Sequence, residues 1–197
     1  NRADIIANME DCIGALQDEV QRGTIRSFGL SNESAWGLTQ WATVAERTGG
    51  PCPVSVQNEY SLLCRLADTD LAETLHNEDI GLLSFSPLAA GLLTGKYQGG
   101  AVPDKSRMSI NGDLGGRKTD RVFPAVDVYL AIAQKYGLDP VHLALAWARQ
   151  RPFMTSVIFG ATNMDQLETA LGALDVTLND EILADIADAH KAHPMPY

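Results

Sequence analysis

The stretch from Ser84 to Tyr97 combines a run of small residues with a lysine, and it is the part of the chain whose composition best suits binding chemistry. Small side chains let a ligand approach the backbone closely. Free N–H groups beside an ammonium suit a phosphate. The same residues also fit an ordinary strand-to-helix turn. The stretch is not a P-loop, because three residues separate Gly91 from Gly95 and Tyr97 follows Lys96 where Ser or Thr is needed. Lys105-Ser106-Arg107 is locally basic in an acidic chain; it offers anion contacts, and it equally fits a solvated loop. Gly160-Ala161-Thr162 leads small residues toward a helix N-terminus. That arrangement serves either as a phosphate site or as a capped structural helix, with Thr162 and Asp165 at capping-box spacing.

Other chemistries are disfavoured. Cys12, Cys52 and Cys64 have no metal-ligand spacing and read as free thiols of a reducing, cytoplasmic compartment. His76, His142, His190 and His193 form no H-x-x-x-H pattern, so no metal is expected. A net charge of −10 argues against nucleic acid or an anionic membrane as partner, but not against a nucleotide held by a few local cations. No apolar run approaches the roughly 20 residues that span a bilayer. The chain of 197 residues can bury a sizeable core. It opens at Asn1 already in helical rhythm, with no methionine before Met9, which points to a chain cut from something longer.

The elements that must position these groups alternate. Apolar spacing predicts a helix over residues 3–22 closed by Gly23, then a strand over 24–30 with Ser31-Asn32 as its exit. Ser31 or Asn32 is placed to cap the next helix, which Gly49-Gly50-Pro51 ends. Strands are predicted at 54–58 and 80–85, with a weaker helix at 68–76 between them. A repeat of about 30 residues is the βαβ signature of a parallel sheet. Residues 98–118 lack a period and read as a long binding loop, a lid or a disordered stretch, followed by a helix near 119–136 closed by Gly137. Asp139-Pro140 starts another helix, 155–159 is a fourth strand, and helices at 163–174 and 179–190 end the chain. The predicted strands end in polar residues, at Ser31-Asn32, Gln57-Asn58 and Ser86, where parallel α/β folds gather functional groups.

Together, the segments 26–32, 56–61, 85–97 and 160–167 resemble, in order and spacing, the C-terminal half of an aldo-keto reductase. The resemblance is nearest to the bacterial oxidoreductases related to potassium-channel β-subunits. It implies a TIM (β/α)8 barrel of which residues 1–197 supply strands five to eight, with 98–118 as a long cofactor-side loop. It implies NADPH as cofactor and a small carbonyl compound as substrate. By the resemblance, Ser31, Asn32 and Gln57 hold the nicotinamide carboxamide and Phe85 stacks on its ring. Ser86, Pro87, Leu88, Ala89 and Gly91 line the pyrophosphate. Lys96 and Arg107 contact phosphate, Arg107 being suited to the 2′-phosphate by its bidentate guanidinium. Gly160, Ala161, Thr162 and Gln166 hold the adenosine end.

Two departures qualify that expectation. The family often has Glu-Asn where Thr169 and Ala170 stand, so preference for NADPH over NADH is less secured. The family's catalytic Asp, Tyr, Lys and His lie on its first four strands, and none of Tyr60, Tyr97 and Tyr129 stands in the corresponding motif. The expectation is therefore an aldehyde or ketone reductase as parent, a chain silent by itself, and a missing N-terminal half or another chain covering the open sheet edges. The rivals are a non-enzymatic, cofactor-sensing regulatory subunit on the same fold and a four-stranded binding module without a redox role.

Overall fold

A computed structural model describes all 197 residues. No helix is long and apolar enough to cross a membrane. The chain divides into two compact units, Asn1–Asn58 with Leu66–Leu83, and Glu59–Arg65 with Ser84–Tyr197.

In the first unit, helix α1 (Arg2–Gln21) starts on a capping box between Asn1 and Asp4. It stops because Gly23 adopts φ 74° and Thr24 N–H returns to the Glu19 carbonyl at 3.0 Å, a Schellman closure. That closure consumes the Thr24 amide. The strand predicted from residue 24 therefore forms only as β1 (Gly29–Ser31). It pairs in parallel with β2 (Ser55–Glu59), Ser31 opposite Gln57. Between them α2 (Ala35–Thr48) is capped by Ser34, whose hydroxyl accepts from Gly37 N–H at 3.0 Å, and not by Ser31 or Asn32. Met9 and Ile13 of α1 pack on Val44 and Ala45 of α2, with Ile6 and Trp41 at the margin. Helix α3 (Asp70–Asn77) leads to β3 (Gly81–Phe85), whose Gly81 N–H bonds the Val54 carbonyl.

Strand β3 carries the chain into the second unit. There Ile158 N–H, just past β4 (Met154–Val157), donates to the Ser84 carbonyl at 2.8 Å. Between these strands lie α4 (Arg107–Ile110), α5 (Val122–Lys135) and α6 (Pro140–Arg149). Segment 98–118 is thus not wholly irregular, since α4 and a short 3-10 turn at Gln98–Gly100 interrupt it. As predicted, Asp139 caps α6, accepting from Val141 N–H at 2.7 Å. Helix α6 is buried on most sides, with Trp147 stacked 5.1 Å from Tyr60. The chain ends with α7 (Met164–Gly172) and α8 (Asp180–Ala192).

Candidate functional site

In the first unit the ladder between β1 and β2 brings Ser31, Asn32 and Gln57 together. The Gln57 carbonyl accepts from Asn32 N–H at 3.0 Å and from the Ser31 hydroxyl at 3.3 Å. Asn32 Nδ2 donates to Ser31 Oγ at 3.1 Å. Asn32 sits at φ 56°, a conformation that costs most residues about 1–2 kcal/mol and that asparagine tolerates best. Asn58 fixes this turn from β2: its Oδ1 accepts from Glu33 N–H at 3.1 Å and its Nδ2 donates to the Glu33 carbonyl at 2.8 Å. Ser34 caps the helix, and the Ser31 and Asn32 side chains remain exposed.

In the second unit Phe85 ends β3 half-buried, and the backbone then turns repeatedly into the left-handed region. Ser86, Ala89 and Ala90 have φ of 53°, 47° and 58°, and Gly91 has 93°. At about 1–2 kcal/mol for each non-glycine residue, such a run persists only where the surroundings enforce it, and strain of this kind collects at binding sites. Part of the loop's N–H set is spent internally: Ala89 donates to the Ser86 carbonyl and Gly91 to the Leu88 carbonyl. Pro87 and Ala89 are buried, which fixes the loop. The loop therefore offers close backbone approach more than a row of free donors.

Lys96 folds back over this turn. A methyl group added at Gly91 would lie 2.9 Å from Lys96 Cε and 3.0 Å from Nζ. The ammonium also sits 5.1 Å from the centre of the Tyr97 ring, within cation–π range. Tyr97 is buried, and its hydroxyl accepts from Met108 N–H at 3.4 Å. Arg107, exposed at the start of α4, precedes that residue. One buried phenol therefore links the Gly91 turn, Lys96 and the segment that carries Arg107. Sequence reading found both cations but not this link, although the Lys96-Tyr97 adjacency was its visible signal.

The Gly160-Ala161-Thr162 turn is exposed. Asn163, not Thr162, caps α7, accepting from Gln166 N–H at 2.9 Å. The expected Thr162–Asp165 capping box is replaced by Gln166, whose Oε1 accepts from both Thr162 N–H at 2.9 Å and the Thr162 hydroxyl at 3.0 Å. Leu88 of the first loop and Val157 and Phe159 before the second pack against one cluster of Leu145, Ala170 and Ala173. The two loops thus share a foundation. An open cleft of about 370 Å³, lined by Asp120, Arg121, Pro124, His193 and Pro194 among others, includes none of these site residues; it lies where the chain's last residues cross the start of α5.

A second polar group, absent from the sequence reading, lies at the end of β2. Arg117 Nε and Nη2 donate to Glu59 Oε1 and Oε2 at 2.8 and 2.7 Å, and the Tyr197 hydroxyl donates to Glu59 Oε1 at 3.0 Å. Burial works against the Arg117 charge, but the Glu59 hydrogen bonds and carboxylate outweigh it and hold the guanidinium above its ordinary pKa. Burial, reinforced by that carboxylate, pushes the Tyr197 phenol well up, so it remains a donor.

Comparison with known proteins matches residues 2–191 to the model of the aldo/keto reductase family. Protein tas of Escherichia coli K12 is 38% identical over 186 residues, which is 94% of this chain and 54% of that protein. A probable voltage-gated potassium channel subunit beta of Arabidopsis thaliana is 33% identical over 89% of this chain and 55% of its own length. An L-glyceraldehyde 3-phosphate reductase of Escherichia coli O157:H7 is 33% identical over 98% of this chain and 57% of its own. The chain thus spans about half the length of these relatives.

Proposed function

The chain belongs to the aldo/keto reductase family, and from that premise we propose that it forms the NADPH-binding C-terminal half, strands five to eight, of a (β/α)8 barrel that reduces an aldehyde or ketone. The observation that carries this reading is the left-handed run at Ser86, Ala89, Ala90 and Gly91 with the Lys96 ammonium folded over it. A dinucleotide pyrophosphate suits that cradle, because the absence of a Cβ at Gly91 lets the Lys96 ammonium lie close to a backbone that phosphate oxygens can approach.

Ser31, Asn32 and Gln57 hold the carboxamide, whose donors and acceptors match an exposed hydroxyl and two side-chain amides. Phe85 stacks on the nicotinamide ring. The backbone from Ser86 to Gly91 lines the pyrophosphate, and Lys96 and Arg107 neutralise phosphate, Arg107 at the 2′ position. Gly160, Ala161, Thr162 and Gln166 hold the adenosine end, with the Gln166–Thr162 bonds presetting that turn. Bound nicotinamide supplies a hydride, and the carbonyl oxygen then requires a proton from a positioned acid. None of this chain's residues is assigned that role. The acid belongs to an N-terminal half that also pairs the open edges of β1 and β4.

Titration of NADPH and NADH by fluorescence tests the assignment. Arg107→Ala weakens NADPH about tenfold more than NADH, the equivalent of about 1.4 kcal/mol. Equal losses remove Arg107 from the 2′-phosphate, and a full-length protein that shows no saturable change with either nucleotide sinks the cofactor reading. A second reading, a cofactor-sensing regulatory subunit, is favoured by the similarity to a protein named as a channel β subunit. Under it the full-length protein binds NADPH and turns over no aldehyde.

A further inference from the structure

We propose that Arg117, Glu59 and Tyr197 anchor the segment carrying Arg107, which makes Glu59 and Tyr197 positioning residues for the cofactor's 2′-phosphate. This rests on the assignment of Arg107 made above. Arg107 itself is exposed on a four-residue helix that cannot hold its own position. Something must fix it, and a continuous line of hydrogen bonds leads away from it. The Arg107 carbonyl accepts from Asn111 N–H at 2.8 Å, and the Asn111 carbonyl accepts from Leu114 N–H at 3.1 Å. The Leu114 carbonyl accepts from Arg117 Nη1 at 2.9 Å. Arg117 then forks onto both oxygens of Glu59. Glu59 is the last residue of β2, so the line ends on sheet and not on loop.

The anchor has the features of a built device. The Arg117 and Glu59 side chains are 16% and 21% exposed, so the pair is shielded from the screening that weakens surface ion pairs. Leu114, in the middle of the line, is buried although its φ is 55°. A buried leucine in that conformation must be held there. Tyr197 closes the arrangement: its hydroxyl takes a further lone pair of Glu59, and its ring lies 5.8 Å from the Arg117 guanidinium. The residues before it are tied to the same region. The Pro196 carbonyl accepts from the Thr119 hydroxyl at 2.6 Å, and the Met195 carbonyl accepts from Arg121 Nη2 at 3.3 Å. The last residues therefore brace the far end of the segment, while Tyr97 holds its near end through Met108. With both ends held, Arg107 faces a ligand from one preset place and less ordering is needed on binding.

The test uses the full-length protein with three variants: Tyr197→Phe, Arg117→Lys and Arg117→Ala. Hydrogen exchange of the amides from Met108 to Leu114 is measured without nucleotide, and NADPH and NADH affinities are measured in parallel. The expected result is faster exchange in all three and a NADPH-over-NADH preference that falls about tenfold in Arg117→Ala. Arg117→Lys does not restore it, because an ammonium cannot fork onto Glu59 and reach Leu114 as well. Tyr197→Phe removes one hydroxyl and keeps the ring, so it retains the fold and still shifts the preference. In an Arg107→Ala background the same changes leave the preference where it is. Unchanged exchange, or NADPH and NADH weakened alike, overturns the anchor. If the unmutated protein binds neither nucleotide, the reading under Proposed function fails, and the exchange data alone then decide whether the anchor stands.

Discussion

Adding one methyl group at Gly91 probes the phosphate assignment at its tightest point. The position combines φ 93° with a near contact to the Lys96 ammonium, so Gly91→Ala has two effects. The conformation costs about 1–2 kcal/mol of stability, and the displaced lysine weakens NADPH about tenfold. Gly49 separates the two, having φ 68° and open space around it. Gly49→Ala is expected to lower the urea midpoint similarly and leave NADPH affinity unchanged; a loss of affinity there would mean that strain alone accounts for the Gly91 result. Ser84 is a different kind of residue. Its hydroxyl is buried without a hydrogen-bond partner, beside the site in sequence but not serving it. Ser84→Ala is expected to be neutral or to stabilise by about 1 kcal/mol, since it removes an unsatisfied polar group. Sequence could mark Gly91 and Lys96 as chemically suited to phosphate. It could not show the lysine lying over that glycine, because side-chain direction depends on the turn between them.

Elements whose start and stop signals are local were legible, and those decided by competition between neighbouring signals were not. Asp139-Pro140 and Gly137 punctuate their helices as read, each acting within one turn. At residues 31–34 three capping residues, Ser31, Asn32 and Ser34, compete. Ser34 wins because only its hydroxyl meets Gly37 N–H, while Ser31 and Asn32 are held by the β1–β2 ladder. At residue 24 the helix closure outcompetes the strand for the same amide. The Glu59–Arg117–Tyr197 group was beyond local reading altogether, its members standing 58 and 138 residues apart. These assignments are testable through the helices. Asn163→Ala removes the cap of α7 and is expected to cost about 1 kcal/mol by denaturant midpoint, whereas Thr162→Ala costs α7 little. Asn32→Ala keeps the α2 cap on Ser34, so it is expected to cost only the strain of the φ 56° backbone, about 1–2 kcal/mol, and to show its further loss in nucleotide affinity. A stability loss well beyond that strain would return Asn32 to a capping role.

At the scale of the whole molecule, binding and chemistry are expected to part. The groups assigned to the nucleotide all lie in this chain, whereas a proton donor for the carbonyl oxygen is assigned to no residue in it. The chain spans about half the length of the relatives it resembles. The outer sides of β1 and β4 end the strand order and offer unpaired backbone, a surface that a further strand satisfies. The expected outcome is that residues 1–197 alone produce no NADPH oxidation with an aldehyde, while a protein that adds the proposed N-terminal half does. Spectrophotometric turnover at saturating NADPH decides it. Steady oxidation by residues 1–197 would relocate the acid to this chain. Binding without turnover in the longer protein would instead favour the regulatory reading, because the same cradle would then report nucleotide state without consuming it.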